Sequence, residues 1–305
     1  MQQAVSYSYA QVLSVSDRID WTVDDVLGPR ESFDFERPFM PEALAATRGL
    51  TFLSASERRV LNQIRGNTYL CIFGLVEEFI LPFVLDHARP LLGGDDHQVR
   101  ALLGFAAEEA KHIHLFRRFR EEFERGFGGR CEVIGPPQEI ARVILAHHPL
   151  GVALTILHIE WMSQRHYLES VRDEEALDPR FKSLLKHHWM EEAQHAKLDT
   201  LMVQALAAAC EPAEVRRGFD DYLAIGGLLD GALEQQVKLD LEALTRATGR
   251  ALSPTEYEEA TRVQRRSNRW TYLGSGMTHP SVLETMRSID ADATARVEEV
   301  APAFC

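Results

Sequence analysis

The segment Glu108-Glu109-Ala110-Lys111-His112 returns 83 residues later as Glu191-Glu192-Ala193-Gln194-His195. In each copy a glutamate and a histidine stand three apart, and on a helix turning about 100° per residue such a pair shares one face. The same offset carries Glu77 onto Glu160, and both lie in apolar stretches. One turn either side of Glu77 stand Phe73, Gly74, Ile80 and Leu81. An unpaired carboxylate there must stay protonated or find a cation, and a divalent metal accounts for all four glutamates at once. Two copies of "Glu, then about a helix and a turn later Glu-x-x-His" make the ligand set of four-helix-bundle carboxylate proteins with two iron or manganese ions. The pattern therefore predicts an all-α chain built on a four-helix core.

Glu77 and Glu78 both have apolar neighbours at helical spacing, so Glu78 is the alternative first ligand. The internal register favours Glu77, because it maps Glu78 onto Trp161 but Glu77 onto Glu160. By the same logic Glu108 and Glu191 are the outer members of their pairs, placed to accept hydrogen bonds or to face neighbouring helices. Position 188 breaks the symmetry. His188 lies four residues before Glu192 and seven before His195, in one narrow stripe, where the first copy has Phe105. An additional imidazole on one metal follows. Asp199, one turn after His195, is a candidate hydrogen-bond acceptor for a ligand imidazole or an exposed acid. Ser163 and Gln164 are candidate pocket-lining residues, Trp161 and Trp189 are either cavity walls or core, and His114, His158 and His166 read as ordinary polar residues.

Residues 1–53 are rich in Pro, Gly, Ser and aromatics without sustained periodicity and read as an irregular arm holding one short helix and covering the bundle. Ser54 with Glu57 three residues on is a capping-box signature for a helix running to about His87, before Pro90 and Gly93-Gly94. Further helices are predicted from about Asp96 to Phe127, Pro137 to His147, Pro149 to Val171, and Asp178-Pro179 to about Cys210. The Pro-containing stretch near residue 137 is long enough for the crossover that ferritin-like bundles place between their two helix pairs. Beyond the core, 54–211, helical patterns at 213–248, 254–272 and 280–300 are expected to pack on the bundle within one domain, 54–305.

With 45% hydrophobic and 26% charged residues the composition is that of an ordinary globular protein. A net charge of -13 argues against nucleic acid or an anionic membrane surface as partner. Cys71, Cys131, Cys210 and Cys305 are widely spaced and form no C-x-x-C, so neither a disulfide framework nor a rubredoxin-type site is expected, and a reducing cytoplasm fits best. The most apolar run, Leu70 to Leu85, is interrupted by Glu77 and Glu78, so no targeting or spanning segment is expected.

The ligand pattern resembles that of the p-aminobenzoate N-oxygenase family, whose diiron site joins two Glu-x-x-His motifs and two further glutamates to a third histidine four residues before the second motif. The likeness runs over roughly residues 40 to 290 in helix order, and the Leu53–Tyr69 run looks like the entry to that family's first long helix. It implies a ferritin-like bundle in which Glu77, Glu109, His112, Glu160, His188, Glu192 and His195 hold two iron ions, with manganese or a mixed pair also compatible with these ligand types. It further implies an oxygenase that uses dioxygen and an electron donor to oxidise a small organic substrate, with N-oxygenation of an amine as the reaction type. The family's substrate-binding residues have no counterpart that can be matched here. The alternative class is iron handling, by a ferritin-type ferroxidase or a peroxide-reducing rubrerythrin. Against it stand about a hundred residues after the last ligand and the missing C-x-x-C module. A homodimer is compatible with the sequence.

Overall fold

The computed structural model describes residues 7–28 and 32–305, and among them there is no β-strand. The chain folds into α1 (Tyr9–Ser16), α2 (Val23–Val26), α3 (Glu42–Ala45), α4 (Ala55–Ala88), α5 (Asp96–Phe127), α6 (Pro137–Ile144), α7 (Pro149–His166), α8 (Pro179–Ala208), α9 (Pro212–Thr248), α10 (Pro254–Arg269), α11 (Ser275–Met277), α12 (Pro280–Ile289) and α13 (Ala291–Val300). The helix starts follow local chemistry. Ser54 and Glu57 close a reciprocal cap at the start of α4, Ser253 and Glu256 do the same for α10, and Asp95 and Asp178 cap α5 and α8 through Gln98 N and Phe181 N. Proline opens α6, α7, α8, α9, α10 and α12, where its missing N–H leaves nothing unsatisfied. Gly128 and Gly249 end α5 and α9 at φ of 76° and 69°, a left-handed conformation in which a Cβ would be strained.

The architecture is the expected four-helix core with additional helices at both ends. Helices α4 and α5 pack as one pair and α7 and α8 as another, with α5 against α8. The crossover between the pairs runs from Gly128 to His148 and carries α6, which lies on α4. Helix α9 covers α7 and α4, α10 packs on α9, and α12 and α13 close over α7, α8 and α9. Two five-residue π turns, Tyr167–Val171 and Trp270–Gly274, extend α7 and α10 to about the expected ends.

Two expectations change. The segment Ala55–Leu91 is long and apolar enough to cross a membrane, with a mean hydropathy of 1.8 over its best 18 residues. In the fold 67% of that window is buried, because α4 is contacted by α5, α6 and α9 and is a core helix. The arm is also more ordered than its composition suggests: it holds α1 and two single-turn helices, and it buries Trp21, Leu27, Phe33, Phe39, Met40 and Leu50. Its order comes from tertiary contacts. Asn62 of α4 accepts from Phe39 N and Met40 N and donates to Met40 O, and Gln63 donates to Phe35 O and Arg37 O. Such partners leave no periodic trace in the arm itself.

Candidate metal centre

Helices α4, α5, α7 and α8 each send carboxylates or imidazoles to one point in the middle of the bundle. The structure brings together Glu77, Glu109, His112, Glu160, His188, Glu192 and His195, all buried. Two overlapping quartets have donor atoms lying mutually within 4.8 Å: Glu77, His112, His188 and Glu192, and Glu109, His112, Glu192 and His195. Glu192 is the hub, with Oε1 3.0 Å from His188 Nε2, 3.1 Å from His112 Nδ1 and 3.5 Å from His195 Nδ1. Glu77 Oε1 stands 3.5 Å from His188 Nε2, and Glu109 Oε1 2.9 Å from His195 Nδ1. Glu160 belongs to neither quartet; it is buried beside Glu192, whose charge helps push its carboxyl pKa up. Glu78 points away, paired with Arg117 at 2.8 Å, so of the two adjacent glutamates only Glu77 faces the cluster.

Buried polar atoms are almost always hydrogen-bonded, so exceptions demand an explanation. Here eight of the 22 such atoms among the described residues lie in the cluster, their densest grouping. Glu77 Oε2, both oxygens of Glu109, His112 Nδ1, Glu160 Oε2, His188 Nε2, Glu192 Oε1 and His195 Nδ1 are all buried without a hydrogen-bond partner. Oxygen and nitrogen lone pairs aimed at one another in a dry interior repel unless a cation lies among them, and a mixed carboxylate and imidazole donor set suits iron, manganese or zinc. The residues present therefore fit a metal centre.

A second layer holds the first. His112 Nε2 lies 2.9 Å from Glu191 Oε2, and His195 Nε2 lies 2.7 Å from Glu108 Oε2. Each Glu-Glu-Ala-x-His segment thus supplies the carboxylate that orients the imidazole of the other, leaving Nδ1 of both rings free toward the centre. Such carboxylate partners fix the ring tautomer and raise the basicity of the ligand nitrogen. The two ends then diverge. Glu108 accepts from Ser16 of α1, whereas Glu191 accepts from Lys111, whose counterpart in the second copy is Gln194. Phe105, the counterpart of His188, packs on the His195 ring at 4.2 Å, so one end of the centre meets a phenyl group where the other meets an imidazole.

With protein groups alone, the electrostatics show how strained this packing is. Burial would lower the His112 pKa, but contacts with Glu109, Glu191 and Glu192 outweigh it and hold it well above the usual value. His195 behaves alike, with Glu192, Glu109 and Glu108 overcoming burial. Burial and then the neighbouring Glu192 push Glu160 well above the carboxylate range, whereas for Glu192 the imidazoles of His188 and His195 overcome burial and hold it well below. These shifts favour protons on His112, His195 and Glu160 when no metal charge is present.

Several outlying expectations are corrected. Asp199 is fully buried, but it does not accept from a ligand imidazole, because Glu108 already occupies His195 Nε2; both its oxygens lack partners and burial raises its pKa well above normal. Ser163 donates to Glu160 O of its own helix, and Gln164 donates to Trp189 O. Trp161 stacks on His279 and Trp189 on Tyr167 instead of walling the centre. His114 is exposed, while His158 and His166 are buried and bonded to Tyr222 and Tyr69. The feature missed altogether is closure by the arm. The Trp21 ring stacks on His112 at 6.1 Å with 12° between planes, its carbonyl accepts from Lys111 Nζ, and that ammonium sits 3.9 Å over its ring. A lone Trp in an aperiodic segment carried no signal for this.

No family model matches the chain, and no curated protein matches it in sequence. Among solved structures it is similar to variants of an R2-like ligand-binding oxidase. One, reconstituted anaerobically with a Mn/Fe cofactor, is 15% identical at a TM-score of 0.47, covering 90% of this chain and 94% of that one. Another, reconstituted aerobically with Fe/Fe, is 15% identical at 0.44, with 86% and 93% covered.

Proposed function

We propose that this chain is a dinuclear-metal oxidase that uses dioxygen to oxidise a small organic substrate, with iron, manganese or one of each held by Glu77, Glu109, His112, Glu160, His188, Glu192 and His195. The observation that carries the reading is the set of eight buried, unpartnered donor atoms on these seven side chains. Bound there, two such metals supply redox electrons and Lewis acidity for dioxygen activation. The chain supplies the rest. Glu108 and Glu191 orient the imidazoles, Glu192 spans the two quartets, and Trp21, Phe73, Phe105 and Phe116 pack round the histidines and keep water out.

Insertion of one oxygen atom balances as substrate plus dioxygen, two electrons and two protons giving oxidised substrate and water, so a reducing partner is required. N-oxygenation of an amine is the finer form of this reading and rests on the ligand pattern with its third histidine. The test is metal analysis of protein purified without added metal, followed by mixing the reduced protein with dioxygen. About two first-row metals per chain and consumption of dioxygen without mineral formation are expected. Accumulation of many iron atoms per chain would assign the centre to iron handling instead.

A further inference from the structure

Beside the centre lies a pocket of about 280 Å³ bounded by α4, α6, α7 and α9, with Tyr272 of the second π turn at one wall. Of its sixteen lining residues one is charged, Glu139. That side chain is 61% exposed and ion-paired with Arg142 at 3.0 Å, so it stands at the mouth. The rest of the wall is apolar, and the one hydroxyl among its residues does not open onto the pocket. Tyr272 is 7% exposed, and its Oη is buried with no hydrogen-bond partner. Phe73 lines the pocket with one face of α4 and meets the His188 ring edge-on at 5.5 Å on the other side. One phenyl ring therefore touches both the pocket and the cluster.

An apolar cavity of about 150 Å³ accepts a benzene-sized guest, so this pocket suits about a dozen non-hydrogen atoms. A buried carboxylate would find no cation here, and burying an unpaired charge is among the costliest changes a binding site can ask of a ligand. We propose that this pocket binds the substrate of the centre, and that the substrate is an uncharged, compact and predominantly apolar molecule. The substrate class rests on the oxidase reading, whereas the pocket's ligand preference does not. It also departs from an aminobenzoate, whose carboxylate this wall would leave unpaired.

Three probes sharing one ring system separate the contributions: 2-naphthol, naphthalene and 2-naphthoate, titrated into the full chain with and without metal. Naphthalene and 2-naphthol are expected to bind within about tenfold of each other, and 2-naphthoate at least a hundredfold more weakly than either. Ala232→Trp, which fills the pocket from α9, is expected to abolish binding of both; Ile140→Trp, from α6, does the same if the first variant loses its circular dichroism signature. Equal binding of 2-naphthoate and 2-naphthol, or unchanged binding in both filled variants, would overturn the assignment. In cobalt-loaded protein, naphthol is expected to shift the metal's visible spectrum through Phe73 and His188. Naphthol binding without such a shift overturns the link to the centre. Binding by a chain that takes up no iron, manganese or cobalt when these are supplied overturns the oxidase reading and leaves the pocket's preference standing.

Discussion

Replacing Glu160 by Gln separates a metal ligand from a structural carboxylate. In the metal-free chain burial and Glu192 push the Glu160 carboxyl well above its ordinary range and favour its neutral form, for which Gln is a hydrogen-bonding substitute of nearly equal size. The metal-free stability should change by less than about 1 kcal/mol. With metal bound the change is large, because a charged donor is lost from a site where even the loss of an orienting partner weakens affinity by about 10- to 100-fold. A hundredfold loss removes about 2.7 kcal/mol of metal-linked stabilisation at a fixed free-metal concentration above both dissociation constants. For a chain of 305 residues, at about 2.1 cal/mol/K per residue, that lowers the melting temperature of the loaded protein by about 4 °C. The assay is calorimetric unfolding of parent and variant, each chelated and each at buffered free iron(II) or manganese(II). A variant that melts lower by the same amount with and without metal would show that Glu160 serves packing only, and the seven-residue centre would be refuted.

Glu108→Gln and Glu191→Gln should each lower metal affinity about 10- to 100-fold in chelator competition while leaving the helix content unchanged; unaltered affinity in both would mean that the crossed hydrogen bonds do not tune the centre. His188→Ala should keep close to two metals per chain, since six ligand residues remain, yet change the spectrum formed on mixing the reduced protein with dioxygen; an identical spectrum removes His188 from the centre. His166 is held by Tyr69 and Ser275 and pushed down to about 3, chiefly by burial and then by Arg165 and His158. Because its folded value lies below the ordinary 6.5, the unfolded chain binds the extra proton, and the stability it contributes is complete above pH 6.5 and lost as pH falls toward 3. His166→Gln should therefore flatten the pH dependence of denaturant unfolding between pH 6 and 4 by about 1.4 kcal/mol per pH unit, and an unchanged slope would show that His166 is not buried as a neutral ring.

The helices and the inward-facing glutamates and histidines could be read from the sequence because both depend on local periodicity. Residues three or four apart share a helix face whatever surrounds them, and an 83-residue repeat of the same spacing leaves little choice of which faces meet. That logic picked Glu77 over Glu78, and the fold turns Glu78 outward to Arg117. Other features were decided only by tertiary structure. Glu108 reaches His195 across 87 positions and Glu191 reaches His112 across 79, so which carboxylate serves which imidazole depends on how α5 and α8 face each other. Trp21 meets His112 because the arm folds back over α5, with Ser16 and Lys111 fastening it there. The apolar pocket is a gap left where α6 and α9 pack on α4 and α7, and an apolar residue reads the same in sequence whether it faces a neighbour or a cavity.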